Sequence, residues 1–156
     1  MSDDRKIEIV RTDPRIPEIA AMIHFLDNYM AELYPAESNH LVDLDTLAQP
    51  DVHFFGVRIG DEYQGCGAIM ISDSGYAEVK RVFVSPKARG LGLGRQIVSA
   101  LEMATRNEGI NTLRLETGIF QPEALKLFEG AGFRRCSAFG AYPVGDAYSV
   151  YMEKVL

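Results

Sequence analysis

The sequence predicts a mixed α/β fold in which helices cover both faces of a mixed, mostly antiparallel β-sheet. Two apolar stripes with helical spacing flank a block of three β-branched and aromatic segments joined by short turns. Another strand, a helix and two closing strands follow, and this order of elements is typical of a sheet with helices on both sides. Because 156 residues suffice for one hydrophobic core, we expect a single domain over 1–156.

The first third of the chain predicts a strand and two helices. Residues 6–11 alternate well enough for an opening strand, and Asp13-Pro14 ends it. A long helix follows, because apolar residues recur three and four positions apart on one face until Pro35. These residues are Ile19, Met22, Ile23, Leu26, Met30 and Leu33. A polar connection at 34–40 leads into a short helix expected over 41–48.

The rest of the chain predicts five strands and two helices. Three strands joined by hairpin turns are expected at 52–59, 63–72 and 76–84. A second helical stripe runs from Leu93 to Ala104 and ends near Gly109. The last predicted elements are a strand at 112–117, a helix at 122–130 and strands at 133–139 and 149–154.

Charge and composition disfavour several classes of function. The formal net charge of −6 is unlike that of nucleic-acid binders, which usually carry a basic face, and it favours cationic substrates such as amines. No apolar run is long enough to span a membrane, and the N-terminus is polar, so we expect a cytoplasmic protein without membrane or nucleic-acid partners. Cys66 and Cys136 are expected to be reduced, and neither they nor the histidines have metal-ligand spacing.

A glycine-rich loop between a strand and a helix provides the first functional signal. The segment Arg89-Gly90-Leu91-Gly92-Leu93-Gly94-Arg95 follows Ser85-Pro86 and leads directly into the second helical stripe. Glycines let backbone N–H groups point at one spot, the helix N-terminus adds about half a positive charge, and two arginines add full charges. This combination predicts a diphosphate site.

Other readings of the loop are weaker. The dinucleotide fingerprint G-x-G-x-x-G fails because its last glycine falls on Arg95 or Ile97, and a P-loop fails because no Gly-Lys-Ser/Thr follows. A helix start that merely tolerates glycine would cost up to about 1 kcal/mol at each position.

Two motifs together resemble those of the GNAT acetyltransferase superfamily. Arg-Gly-Leu-Gly-Leu-Gly at 89–94 is similar to Arg/Gln-x-x-Gly-x-Gly/Ala, and 121–133 resembles Asn-x-x-Ala-x-x-x-Tyr followed by Gly-Phe. The resemblance covers 52–156 and extends to the first fifty residues only in element order. It is closer to bacterial small-molecule enzymes than to histone acetyltransferases. It implies a three-layer α/β/α fold whose central sheet is splayed at an acetyl-CoA site.

The resemblance also implies which residues bind acetyl-CoA. The strand before the loop would pair through its backbone with the pantetheine arm, the loop would hold the pyrophosphate, and Gln121 stands where an asparagine often contacts the arm. Val82 and Val84 can also be core residues, because side chains pack while the backbone binds. The expected cofactor-binding residues are Val82, Phe83, Val84, Arg89, Gly90, Leu91, Gly92, Leu93, Gly94, Arg95, Gln121 and Phe128.

Direct acetyl transfer to an amine needs a base more than an acid. At neutral pH, deprotonating an alkyl amine costs roughly 4.6 kcal/mol, whereas a thiol costs only about 2 kcal/mol. Glu78 is the predicted base, because it stands where several GNAT enzymes carry a catalytic glutamate. Alternation would place it on one face with Lys80, Val82 and Val84, about 13 Å from Val82, so it would act through water. An ion pair with Lys80 or Arg81 is the alternative role.

The tyrosine that often protonates the leaving thiolate in this superfamily falls at Phe128, which has no hydroxyl. Tyr142 is the predicted substitute, because the late loop often borders the acceptor site, although Tyr148, water or unassisted departure are alternatives. The backbone N–H of Val82 would stabilise the oxyanion. The acceptor pocket is expected between 34–40 and the loop around Tyr142, with Glu37, Asn39 or His40 as polar contacts.

Together, these features predict an acetyl-CoA-dependent N-acetyltransferase that acts on a primary amine of a small molecule by direct attack, without a metal. A catalytically silent acyl-CoA-binding module is the main alternative, because Phe128 replaces the usual acid. A nucleotide-binding regulator that uses the same loop is another. Homodimers are common in the superfamily, so a homodimer remains an open alternative to a monomer.

Overall fold

The computed structural model describes residues 6–156, which form one open sheet with the strand order β1-β2-β3-β4-β5-β7-β6. Neighbouring strands are antiparallel except for β4 and β5, which are parallel. The predicted mixed, mostly antiparallel sheet is therefore confirmed. The strands are β1 (Ile7–Arg11), β2 (Val52–Ile59), β3 (Glu62–Ile71), β4 (Ala77–Val84), β5 (Thr112–Gly118), β6 (Arg134–Cys136) and β7 (Ser149–Val155).

Helices pack on both faces of this sheet, as predicted. The helices are α1 (Pro17–Leu33), α2 (Leu44–Leu47), α3 (Leu93–Asn107) and α4 (Pro122–Gly130). One core lies between α1, α2 and the sheet and contains Phe54 and Phe83. The other lies under α3 and α4 and contains Ile97, Leu101 and Phe128. None of the helices described within 6–156 is long and apolar enough to cross a membrane.

Two predicted elements are shorter than the sequence pattern suggests. The helix expected over 41–48 is a single turn, Leu44–Leu47, whose start is capped when the Thr46 N–H donates to the Asp43 carboxylate at 2.8 Å. The strand expected over 133–139 ends at Cys136. Phe139 leaves the sheet and packs in a separate aromatic cluster, so its apolar character reflects burial rather than strand pairing.

A β-bulge interrupts β4. Arg81 and Val82 together lie opposite Gly67 alone, and Arg81 adopts a left-handed conformation with φ 58°. The Arg81 guanidinium is buried and donates to the Asp27 carboxylate and to the Val42 carbonyl oxygen. These contacts compensate for a backbone conformation that an L-residue rarely adopts. The pairs on either side of the bulge are Cys66 with Phe83 and Ala68 with Lys80.

The bulge reverses the side-chain alternation of β4. Before it, Glu78 and Lys80 lie on the α1 face of the sheet. After it, Val82 and Val84 pack on the α3 face, while Phe83 belongs to the α1 core. The prediction that Glu78 shares a face with Val82 and Val84 is therefore wrong, because one extra residue separates the two halves of the strand.

Both cysteines are free, as expected. Cys66 is buried, and its thiol donates to the Arg81 carbonyl oxygen at 3.2 Å. Burial raises the pKa of this thiol to about 12. Cys66 is therefore a packing residue rather than a nucleophile.

Candidate active site

The site begins where β4 and β5 separate. The two strands pair only through Ala77 with Leu113 and Glu78 with Arg114, and the ladder ends there. A cavity of about 100 Å³, which we call the wedge cavity, lies between the diverging strands. A larger cleft of about 400 Å³ extends from it toward the N-terminus of α3. The two spaces share the lining residues Leu26, Val82, Gln121, Ala124 and Phe128.

The glycine loop forms one wall of the larger cleft. Gly90 has φ 86°, and Gly92, the N-cap of α3, has φ 75° and ψ 18°, a left-handed conformation that favours glycine. Leu93, the first residue of α3, is fully buried and anchors the helix start in the core. The first-turn N–H groups of α3 are thereby presented at the cleft.

All predicted cofactor residues except Leu91 line this cleft. Leu91 is instead an exposed residue, with 43% of its surface accessible to solvent. At the other wall, the backbone of 82–84 has no strand partner on the β5 side, because the β4–β5 ladder has already ended. An extended ligand with amide groups at one end and a diphosphate at the other fits these two walls.

Glu78 and Tyr142 are brought together with Lys80 on the α1 face. Lys80 Nζ lies 2.7 Å from Glu78 Oε2, and the Tyr142 hydroxyl accepts from Lys80 and donates to Glu78. The side chains of Lys80 and Glu78 are only 14% and 13% exposed. Burial raises the pKa of Tyr142 the most, and the negative charge of Glu78 is the next largest cause of the increase. This phenol therefore remains protonated and acts as a hydrogen-bond donor.

The wedge cavity is lined by Lys80 and Tyr142 but not by Glu78. The Glu78 carboxylate is instead bound in the ion pair that the sequence offered as its alternative role. The carboxylate that lines this cavity belongs to Glu116 of β5, which sequence reasoning missed. The only sequence signal for Glu116 is its place on the polar side of an alternating strand, a pattern that ordinarily indicates solvent exposure.

Glu116 has an unusual environment for a carboxylate. Its Oε2 accepts a hydrogen bond from Ser149 Oγ at 2.8 Å. Burial raises the pKa of Glu116, and this effect is opposed by the Ser149 hydrogen bond and by the nearby His40 and Lys80. No ion pair involves Glu116 among residues 6–156.

The predicted acceptor loop borders the cavity at His40. His40 Nε2 lies 3.1 Å from Asp146 Oδ2, and Ser38 Oγ donates to Asp146 Oδ1 at 3.0 Å, so the loop is tied to the segment after Tyr142. Glu37 is exposed, and neither it nor Asn39 lines the cavity.

Tyr34 fixes the turn after β5. Its hydroxyl accepts from the Phe120 N–H at 3.0 Å and donates to Gln121 Oε1 at 3.3 Å. Its ring meets Tyr148 edge to face. Gln121, which borders both spaces, is therefore held from the α1 side of the molecule.

Comparison with known families agrees with this geometry. A sequence model of the Acetyltransferase (GNAT) family matches residues 19–133. The chain belongs to the GNAT family. The divergence of β4 and β5 agrees with the splayed sheet that the resemblance implied, and the enzyme class is that of an acetyltransferase.

Relatives of this GNAT chain span nearly its whole length. The "IAA acetyltransferase" of Azospirillum brasilense is 44% identical over 151 residues, covering 96% of this chain and 98% of the relative. A Klebsiella pneumoniae structure with a provisional acyl-CoA N-acyltransferase name is 37% identical, with a TM-score of 0.84 and coverage of 96% and 97%. The PaiA N-acetyltransferase of Thermoplasma acidophilum, solved with coenzyme A, has a TM-score of 0.72 at 17% identity over 97% and 99% of the chains, and so shows the fold alone.

Proposed function

We propose that this GNAT protein transfers the acetyl group of acetyl-CoA to a primary amine of a small molecule by direct attack. The observation that carries the proposal is the junction of two unlike spaces at Val82. The cleft on one side has the glycine loop and two arginines, whereas the cavity on the other side is lined by Glu116 and Tyr142. A donor bound in the cleft and an acceptor bound in the cavity would meet at this junction.

The donor side favours acetyl-CoA over a smaller phosphate compound. The loop and the start of α3 would hold the diphosphate, with charge supplied by Arg89 and Arg95. The free edge of β4 at 82–84 would pair with the amide groups of the pantetheine arm. Bound there, acetyl-CoA supplies an activated acetyl thioester.

The acceptor side favours a cation. Glu116 is the carboxylate that lines the wedge cavity, and the lining cation Lys80 is paired with Glu78 rather than with Glu116. An ammonium group bound in the cavity would give Glu116 a direct ion pair. The small volume of the cavity, about 100 Å³, suits the amino end of a metabolite rather than a large surface.

Protein groups near the junction can support the reaction without the usual tyrosine. The backbone N–H of Val82 is the proposed donor to the developing oxyanion. Tyr142 would donate a hydrogen bond to the departing thiolate by turning its single hydroxyl proton away from Glu78, while Lys80 still donates to the hydroxyl oxygen. Because its pKa is raised, Tyr142 suits hydrogen bonding better than full proton transfer. Phe128 would supply only an apolar wall.

Phe128 also motivates a second candidate, an acyl-CoA-binding module without catalysis. Isothermal titration calorimetry with acetyl-CoA, ATP and NAD tests the donor assignment, and tight binding of acetyl-CoA alone is expected. Thiol release from acetyl-CoA is then followed across a panel of primary amines and amino-blocked analogues. Amine-dependent release supports the acetyltransferase, whereas binding without release from any amine supports the silent module.

A further inference from the structure

On the basis of the proposed amine acetylation, we propose that Glu116 binds the acceptor's ammonium group and takes its proton. Glu116 would thus be a catalytic residue and would select for acceptors that carry a positive charge before reaction.

The strand register places Glu116 at the opening between β4 and β5. Glu78 lies opposite Arg114 in the last parallel pair, so Lys80 and Glu116 occupy the next same-face positions on the two strands. The strands separate there, and both residues line the wedge cavity between them. A ligand that enters this opening therefore meets the Glu116 carboxylate.

Glu116 differs from the neighbouring carboxylates in how its oxygens are satisfied. Glu78 is bound by Lys80 and Tyr142. Asp146 is bound by His40, Ser38 and the Tyr148 N–H. By contrast, within the described residues 6–156 Glu116 receives a single side-chain hydrogen bond, on Oε2 from Ser149.

A carboxylate in low-dielectric surroundings without a cationic partner is unfavourable unless a ligand supplies one. An amine acceptor arrives mostly protonated at neutral pH, and its ammonium group would meet this need. In the bound state, the nearby ammonium would in turn favour the charged form of Glu116.

The proposed transfer conserves atoms, charge and electron pairs. Glu116 accepts one proton from the ammonium, and the neutral nitrogen attacks the acetyl carbonyl carbon to form the C–N bond. When the C–S bond breaks, its electron pair leaves with sulfur, and the second proton lost by nitrogen neutralises that thiolate. The proton held by Glu116 then passes to solvent, so that one amide, one thiol and one proton result.

The charged and titratable groups facing Glu116 determine its pH response. His40 comes from the acceptor loop, Lys80 from β4, and Tyr142 and Asp146 from the segment after β6. Tyr151 of β7 and Tyr34 at the end of α1 are the others. As pH falls through the raised pKa of Glu116, its carboxylate becomes protonated and can no longer accept a proton. The kcat/KM for an amine should therefore decline on the acid side with a pKa contributed by Glu116.

Glu116→Gln tests the proposal, because an amide oxygen can still accept the Ser149 hydrogen bond. For an amine that the wild type acetylates, kcat/KM should fall by about 100-fold or more, which is typical for loss of a general base, and the Glu116 acid limb should disappear. The dissociation constant of acetyl-CoA should not change. Glu102→Gln is the control, because this carboxylate pairs with Lys154 on the α3 side, outside both spaces.

Thermal unfolding distinguishes a loss of catalysis in Glu116→Gln from a folding defect. Because the pKa of Glu116 is raised in the folded protein, the carboxylate destabilises the fold as pH rises through that pKa. Glu116→Gln should therefore unfold at the same or a higher temperature than wild type at pH 8, and this advantage should shrink toward pH 4.

Wild-type kcat/KM and an intact acid limb in Glu116→Gln would overturn the proposal. A raised KM with an unchanged pH profile would overturn the proton-accepting role. Failure of the broader function gives a different result, because the wild type itself would then release no thiol with any amine.

Discussion

Replacing Gly92 by alanine tests the glycine loop with a matched control in the same helix. Gly92 precedes α3 with φ 75°, and Gly109 follows it with φ 74°; a Cβ on either residue would meet no atom within 4 Å. The cost of either substitution is therefore the left-handed backbone itself, about 1–2 kcal/mol. Both variants should lower Tm by about 2–8 °C for a chain of this size.

Binding should separate the two variants. Relaxation of the strained backbone at Gly92 would turn loop N–H groups away from the diphosphate, whereas Gly109 lies about 25 Å away along the helix. Losing one charge-assisted hydrogen bond, worth about 1.5–3 kcal/mol, weakens binding by about 10- to 150-fold. Calorimetry with acetyl-CoA and thermal unfolding by circular dichroism measure the two effects. Equal stability losses with wild-type affinity in Gly92→Ala would refute the loop assignment.

Three further predictions concern packing and ionisation. Glu78→Gln should lower the free energy of unfolding in urea by ~3 kcal/mol, because it leaves the largely buried Lys80 ammonium without its anionic partner. Adding Lys80→Met should restore much of this stability, and equal stabilities of the single and double variants would contradict the prediction. Gly118→Ala would place a Cβ 1.8 Å from the Tyr34 hydroxyl oxygen and should lower the free energy of unfolding by about 1–3 kcal/mol in the same assay. A variant as stable as the wild type would show that Tyr34 moves freely. Because the pKa of Cys66 is about 12, only about 1 in 10⁴ of its thiols is ionised at pH 8, so Ellman's reagent should modify it only after unfolding.

The features that local sequence predicts well are those set by short segments. The hairpins around β3 and the glycine loop depend on residues adjacent in the chain, so their patterns are visible without tertiary information. The bulge is not visible in this way, because Arg81 has a Cβ, and its left-handed backbone depends on distant partners, Asp27 and Val42.

The candidate site shows the same division. The donor side was predicted from one continuous strand, loop and helix, whereas Glu116 faces a cavity that exists only because β5 diverges from β4. Likewise, the sequence left two roles open for Glu78, a base or an ion pair, and only the tertiary structure shows that Lys80 and the Tyr142 hydroxyl both bind its carboxylate. Residue type and spacing thus identify the chemistry available, and tertiary contacts determine which carboxylate is still free to use it.

The bulge in β4 has a consequence for how acceptor choice can change over evolution or by engineering. Before Arg81, the side chains of Glu78 and Lys80 lie on the α1 face, and Lys80 lines the wedge cavity; after it, the backbone of 82–84 borders the larger cleft. A change of side chain at Lys80 would therefore alter the proposed acceptor side and leave in place the peptide groups that we propose bind the donor. In the proposed enzyme, acceptor choice could thus change through side chains of the first half of β4, while the coenzyme contacts proposed for the second half, being made by backbone, would stay the same.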